Sequence, residues 1–207
     1  MKRVYLPILL CLSLSLSACG GKTAEKRYLR FTEELAQKET LSFTAQLRCE
    51  YEDRSLPFTL RYEENGEGVS ITVLEPALIK GIRAQLAEGE SRLHYEGVAL
   101  DTGPLDAFGL CPMSALPEMM EALRCGYVDS VWEENGSYVA KLIPEDHRSV
   151  QIYLDKYTLC PVYAELISDG QVRVFARIGD WTYGGNEQHE RSAEENLGGD
   201  QSGAYPP

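Results

Sequence analysis

The sequence predicts an α+β protein with a single curled antiparallel sheet, a half-barrel of about nine to eleven strands, and two helices that cover it. Three observations predict this fold. Two segments repeat apolar residues with a helical period, and most other segments up to residue 183 alternate apolar and polar residues. Short turns such as Asn65-Gly66 separate the alternating segments, so successive strands pair antiparallel. The 207 residues, 43% of them hydrophobic, suit one globular domain.

The N-terminus has the layout of a signal peptide. Lys2 and Arg3 precede an apolar stretch of 13 residues, Val4 to Leu16. This stretch is shorter than the roughly 20 residues that a membrane-spanning helix needs, and its length is typical of a signal-peptide core. It ends in Leu16-Ser17-Ala18-Cys19, which two glycines follow.

This tetrapeptide resembles the lipobox of bacterial lipoproteins at all four positions, Leu16, Ser17, Ala18 and Cys19. The resemblance implies that residues 1–18 are a cleaved signal peptide, that the Cys19 sulfur is diacylated, and that residues 19–22 form the anchor and a short linker. Two acyl chains give a stable membrane attachment. We therefore expect an exported protein held on the outer face of the cell membrane. An ordinary secretory signal that ends near a chance cysteine is the alternative.

Residues 23–183 are predicted to form the half-barrel domain, which begins with an amphipathic helix over Thr23–Lys38. Tyr28, Phe31 and Leu35 form the apolar stripe of this helix. Strands with an apolar residue at every second position follow it. They are predicted over Leu41–Tyr51, Leu56–Glu63, Val69–Val73, Ile82–Leu86 and Arg92–Tyr95.

A second helix is predicted between Ser114, as its N-cap, and Gly126, as its C-terminal stop, with Pro117 in the first turn. Its apolar stripe consists of Leu116, Met119, Met120 and Leu123. More strands are predicted over Tyr127–Glu133, Tyr138–Ile143, Val150–Leu154, Cys160–Ile167 and Val172–Ile178. Residues 184–207 are rich in Gly, Glu, Asn and Gln, which predicts a disordered acidic tail.

Four cysteines lie within the predicted domain: Cys49, Cys111, Cys125 and Cys160. An even number of cysteines in an exported domain allows two disulfides, with three connectivities that the sequence does not distinguish. Free buried thiols are the alternative. None of the pairs has the C-x-x-C spacing of a zinc site, so we predict no metal.

Charge and motifs argue against several function classes. The net charge of −12 leaves no basic surplus for nucleic-acid binding or for electrostatic docking on an anionic membrane. The sequence has no nucleophile elbow and no H-E-x-x-H motif, and its histidines, His94, His147 and His189, are isolated from each other. We therefore predict that the protein is not an enzyme and binds no cofactor.

The segment Val150–Leu166 carries a further resemblance. Its strand, Asp155-x-x-Thr158 turn and Pro161-started next strand resemble the superfamily of the lipoprotein carrier LolA, with LolB and the LppX type, as do Phe43–Leu47 and Pro112–Leu123 in position. The resemblance covers residues 23–181 and implies a half-barrel whose concave apolar face holds acyl chains. A protein fixed through a lipidated cysteine cannot diffuse as LolA does, so the anchored relatives are more similar, among them GerS of clostridia, a partner-binding subunit of a cell-wall amidase.

Two functions compete on this basis. The first is a non-catalytic lipoprotein that binds a lipid or acyl ligand in the half-barrel, driven by the transfer of methylene groups from water. The predicted cavity-lining residues are Phe43, Leu47, Phe58, Leu60, Ile71, Met119, Met120 and Leu123. The second is a scaffold or regulatory partner of an envelope enzyme or sensor, whose interior is filled by its own side chains.

Overall fold

The computed structural model describes residues 20–87, 89–105, 110–144 and 147–184. It confirms the predicted fold class: these residues form one open antiparallel sheet of eleven strands and two α-helices. The predicted signal peptide, the predicted lipidation site Cys19 and residues 185–207 of the predicted tail lie outside the described residues. Within the described ranges, neither helix is long and apolar enough to cross a membrane.

Each of the two α-helices is followed by a run of strands. In chain order they are α1 (Gly20–Ala36), β1 (Leu41–Glu50), β2 (Ser55–Asn65), β3 (Gly68–Glu75), a 3-10 turn (Ala77–Ile79), β4 (Arg83–Ala87), β5 (Glu90–Tyr95), β6 (Val98–Asp101), α2 (Pro112–Cys125), β7 (Tyr127–Glu134), β8 (Ser137–Ile143), β9 (Arg148–Asp155), β10 (Pro161–Ser168) and β11 (Gln171–Tyr183).

The sheet consists of two meanders, which are joined where the first strand of the chain, β1, pairs with the last, β11. The strand order is β6-β5-β4-β3-β2-β1-β11-β10-β9-β8-β7. We call β1–β6 the first arm and β7–β11 the second arm. The arms meet where β1 pairs with β11, from Leu41 opposite Tyr183 to Cys49 opposite Val174.

Alternation sets the two faces of the sheet. In β1 the odd-numbered residues from Leu41 to Cys49 are buried and the even-numbered residues are partly or fully exposed, as the sequence predicts. The Asp155 turn between β9 and β10 also forms as expected. Its Oδ1 atom accepts hydrogen bonds from the backbone N–H groups of Tyr157 (3.0 Å) and Thr158 (2.8 Å), and from the Thr158 hydroxyl (3.0 Å).

The helices start earlier than predicted. α1 begins at Gly20 rather than Thr23, and α2 begins at Pro112, with Cys111 as its extended N-cap. Ser114, predicted as the N-cap, is the third helical residue, and its hydroxyl accepts a hydrogen bond from the Cys111 N–H at 3.0 Å. Because of this shift, Pro117 lies in the second turn of α2 and not in the first. Gly126 caps the helix as predicted.

The core lies between the concave face of the sheet and the two helices. Its centre is an aromatic stack in which the Phe43 ring lies 4.8 Å from the Tyr62 ring and 4.9 Å from the Trp181 ring. Phe31 of α1 reaches this stack, with its ring centroid 6.4 Å from that of Trp181. Strands of both arms and helix α1 are therefore held by one hydrophobic cluster.

Candidate functional site

The predicted cavity-lining residues lie within this core. Seven of them are between 0 and 3% exposed, and Phe58 is half-buried against the cluster. The seven are Phe43, Leu47, Leu60, Ile71, Met119, Met120 and Leu123. The structure thus brings the strand residues and the α2 residues together in one cluster, where they pack among other buried side chains.

A groove of about 500 Å³ lies elsewhere, on the outer side of α2. The α2 residues that line it are Ser114, Pro117, Glu118, Glu121 and Cys125. They recur every three or four residues and so form one stripe of the helix, next to the apolar stripe that faces the core. In the sequence this polar stripe is indistinguishable from an ordinary solvated helix face.

The walls of the groove come from both arms of the sheet. One wall is formed by the start of β3, the end of β4 with Leu86, and the start of β5 with Glu90 and Ser91; the other is formed by Pro144 after β8 and Arg148 at the start of β9. These segments are far apart in sequence. The curl of the sheet brings them together across α2.

Gly68 makes the first wall compact. It has a φ of 129°, and a Cβ atom at this position would lie 2.3 Å from the carbonyl oxygen of Leu86. Only glycine allows β3 and β4 to approach this closely. The close approach fixes the position of the β4–β5 turn beside α2.

Two ion pairs hold α2 in place. Arg124 donates two hydrogen bonds to the Glu64 carboxylate on β2, at 2.6 and 2.7 Å, and the Tyr62 hydroxyl donates a third at 3.0 Å. Burial, followed by the negative charge of Glu64, raises the pKa of Tyr62. In the middle of the helix, Glu118 accepts a hydrogen bond from Arg148 at 3.2 Å. These contacts tie α2 to both arms.

The groove carries more negative than positive charge. The charged side chains that line its described part are the carboxylates of Glu90, Glu118 and Glu121 and the guanidinium of Arg148. Pro117 has no backbone N–H, so it adds no hydrogen-bond donor to the groove. Such a lining attracts cationic and hydrogen-bond-donating groups and repels phosphate and carboxylate groups.

A second, apolar surface lies at the free end of the first arm, and we call it the edge surface. It consists of Ile82, Leu93, Tyr95, Glu96, Val98 and Leu100, which line a depression of about 350 Å³. Leu93 pairs with Leu100, and Tyr95 pairs with Val98, so these side chains share one face of the sheet. Val98 and Leu100 are 58% and 62% exposed. β6 is not among the predicted strands, because all four of its residues are exposed and they show no alternation.

The four cysteines are free thiols in the structure, and of them only Cys49 is buried. Cys49 is buried at the end of β1, and burial, with nearby Cys111 and Glu50, raises the pKa of its thiol to about 12. Cys125 is exposed in the groove. Among the described residues, no cluster of three or more His, Cys, Asp or Glu side chains is placed to hold a metal ion.

Comparison with known proteins places this fold among solved structures. No protein-family model matches the chain, and no curated protein matches it. A LolA superfamily protein from Nitrosomonas europaea is 10% identical, with a TM-score of 0.44 over 83% of this chain and 97% of that one. A putative outer membrane lipoprotein-sorting protein domain from Vibrio parahaemolyticus is 13% identical, with a TM-score of 0.47 over 84% and 99%.

A third similar structure is that of the CwlD amidase from Clostridioides difficile in complex with the GerS lipoprotein. The matching chain is 16% identical, with a TM-score of 0.42 over 77% of this chain and 95% of that one.

Proposed function

We propose that the protein is an exported lipoprotein, anchored through Cys19, that acts as a non-catalytic binding module for another protein of the cell envelope. The observation that supports this proposal is the burial of the residues expected to line an acyl cavity. Seven of the eight residues expected to line an acyl cavity are at most 3% exposed and pack against each other. A filled half-barrel offers its surface, and not its interior, to a ligand.

The charge of that surface supports a protein partner. Of the carboxylates that line the groove beside α2, Glu118 pairs with Arg148 and Glu90 pairs with Arg92, and Glu121 adds a further negative charge. A phosphate group without a neighbouring cation is disfavoured beside these carboxylates. A protein segment with basic and apolar side chains complements both the groove and the edge surface.

In this proposal residues 1–18 are removed as a signal peptide, Cys19 carries the lipid, and 19–22 form the anchor and short linker. Residues 23–183 form the binding domain and 184–207 form a disordered acidic tail. α1 begins at Gly20, directly after Cys19. The binding domain therefore lies close to the outer face of the membrane, within reach of partners anchored in or near it.

Binding of an acyl ligand is the second candidate, and the edge surface favours it. Its depression of about 350 Å³ has one charged lining residue, Glu96, and otherwise apolar or aromatic ones. This volume lies within the range of small-ligand pockets. Each methylene group transferred there from water contributes about 0.8 kcal/mol.

One preparation distinguishes the two candidates. The full chain is expressed in a bacterium, cross-linked in intact cells and purified from the membrane, and bound protein and extracted lipid are both identified by mass spectrometry. We expect one stoichiometric protein partner and no stoichiometric lipid. Stoichiometric lipid without a partner would establish the second candidate, and the absence of both would refute the proposed function.

A further inference from the structure

We propose that β6 is the docking edge for this partner: an extended segment with alternating apolar residues and basic residues at its ends adds a twelfth strand to the sheet. This inference rests on the proposed function and specifies the surface and the partner's chemistry. It follows from the edge position of β6, from the side chains it exposes and from the charges at its two ends.

β6 is the terminal strand of the first arm and pairs only with β5 in the sheet order. Its outer edge therefore presents backbone N–H and C=O groups that form no ladder within the described sheet. Proteins usually protect such an edge by keeping the strand short, or with charged side chains, proline, a bulge or a covering element. β6 has four residues and ends in Asp101, but Val98, Ala99 and Leu100 include no charge and no proline. The opposite edge differs, because α1 packs against β7.

The exposed side chains of β6 match the spacing of an added strand. Val98 and Leu100 are two positions apart and point to the same face as Tyr95 and Leu93. A strand added to β6 lies about 4.8 Å away, so its alternate side chains would contact Val98 and Leu100 and enter the depression of the edge surface. The ladder supplies affinity and the depression selects apolar residues.

The charges at the ends of β6 determine which kind of segment can pair with it. Glu96 lies just before the strand and Asp101 at its end, with the Asp101 side chain 81% exposed although it pairs with Arg92. Antiparallel pairing of β6 with a second copy brings Glu96 of one chain toward Asp101 of the other at both ends, which is destabilising. The chain's own residues 185–207 carry five acidic residues and one basic residue, so they meet the same repulsion. A partner segment with basic residues at its ends neutralises both carboxylates.

The experiment uses the full chain in detergent and two synthetic decapeptides with valine at alternate positions, one with lysine at both ends (the lysine peptide) and one with glutamate at both ends (the glutamate peptide). Hydrogen exchange is followed at the amides of residues 98–101. We expect the lysine peptide to slow exchange there and to bind at least about tenfold more tightly than the glutamate peptide. Leu100→Lys is expected to weaken lysine-peptide binding by at least about tenfold, because it places a charge on the docking face.

Leu29→Lys is the matched control, because Leu29 is a half-exposed leucine on α1. We expect it to leave peptide binding unchanged, and both variants to keep the thermal midpoint of the parent chain. Unchanged exchange at residues 98–101, or equal binding to the Leu100→Lys and parent chains, would overturn the docking edge. Protection that appears without peptide and grows with protein concentration would instead assign the edge to a second copy.

The same variant separates this inference from the proposed function. If the parent and Leu100→Lys chains capture the same partner equally in cross-linked cells, the docking edge is wrong and the binding function stands. If the parent chain captures no partner, the binding function itself fails.

Discussion

The substitution Phe43→Ala tests how tightly the interior of the half-barrel is packed. The Phe43 side chain is 1% exposed and is stacked between the rings of Tyr62 and Trp181, at 4.8 and 4.9 Å. Truncating a fully buried phenylalanine costs about 3–5 kcal/mol, and each aromatic pair contributes about 0.5–1.5 kcal/mol beyond its area. With both pairs lost, we expect the free energy of unfolding to fall by about 4 kcal/mol.

The assay is urea unfolding of the chain expressed from residue 20, followed by tryptophan fluorescence. Trp181 contacts Phe43 directly, so the native emission should also change. Phe58→Ala is the matched control: Phe58 is half-buried, and we expect a loss of about 1–2 kcal/mol.

A loss below about 1.5 kcal/mol for Phe43→Ala, or a loss equal to that of the control, would contradict the filled interior. In a half-barrel built around an acyl cavity, Phe43 would face ligand or solvent, and its truncation would cost little. Such a result would instead favour the second candidate function, the binding of an acyl ligand.

Three further predictions concern the helix contacts, the thiols and the anchor. Glu64→Gln should lower the free energy of unfolding by about 2 kcal/mol in urea titrations, because the partly buried Arg124 loses its charged partner; no change would mean that the pair does not hold α2. The Cys49 thiol, with its pKa raised to about 12, should stay unalkylated in the native chain at about pH 8, whereas exposed Cys125 should react. The stability from this raised pKa is complete below 9.0, the ordinary thiol value, and is lost as the pH rises toward 12. Cys19→Ala should release the protein from the membrane fraction, and its retention there would contradict lipidation.

Several elements were predictable because their signals are local. The alternation over β1 assigns each residue to one face of the sheet without reference to the rest of the chain. The Asp155 turn is similar, since one carboxylate and the next three residues form its hydrogen bonds. β11 extends to Tyr183 and was predicted to end at Ile178, because an irregularity near Gly179, with Asp180 at a φ of 53°, interrupts the alternation.

The two surfaces proposed for binding are not marked by any local pattern in the sequence. The groove combines Gly68, Glu121 and Arg148 from three distant segments, and each is unremarkable in its own stretch of sequence. β6 lacks a buried side, so periodicity could not reveal it. The groove residues come together only because the sheet curls. β6 forms an edge only because it is the last strand in the sheet order.

The amino-acid pattern by itself determined that the chain forms a curled antiparallel sheet with two helices, and which side chains turn inward. The tertiary structure alone decided that Phe43, Met119 and their neighbours are buried together in one hydrophobic cluster. The reason is physical: periodicity reports the direction of a side chain, whereas the space left beside it depends on how closely sheet and helices approach each other.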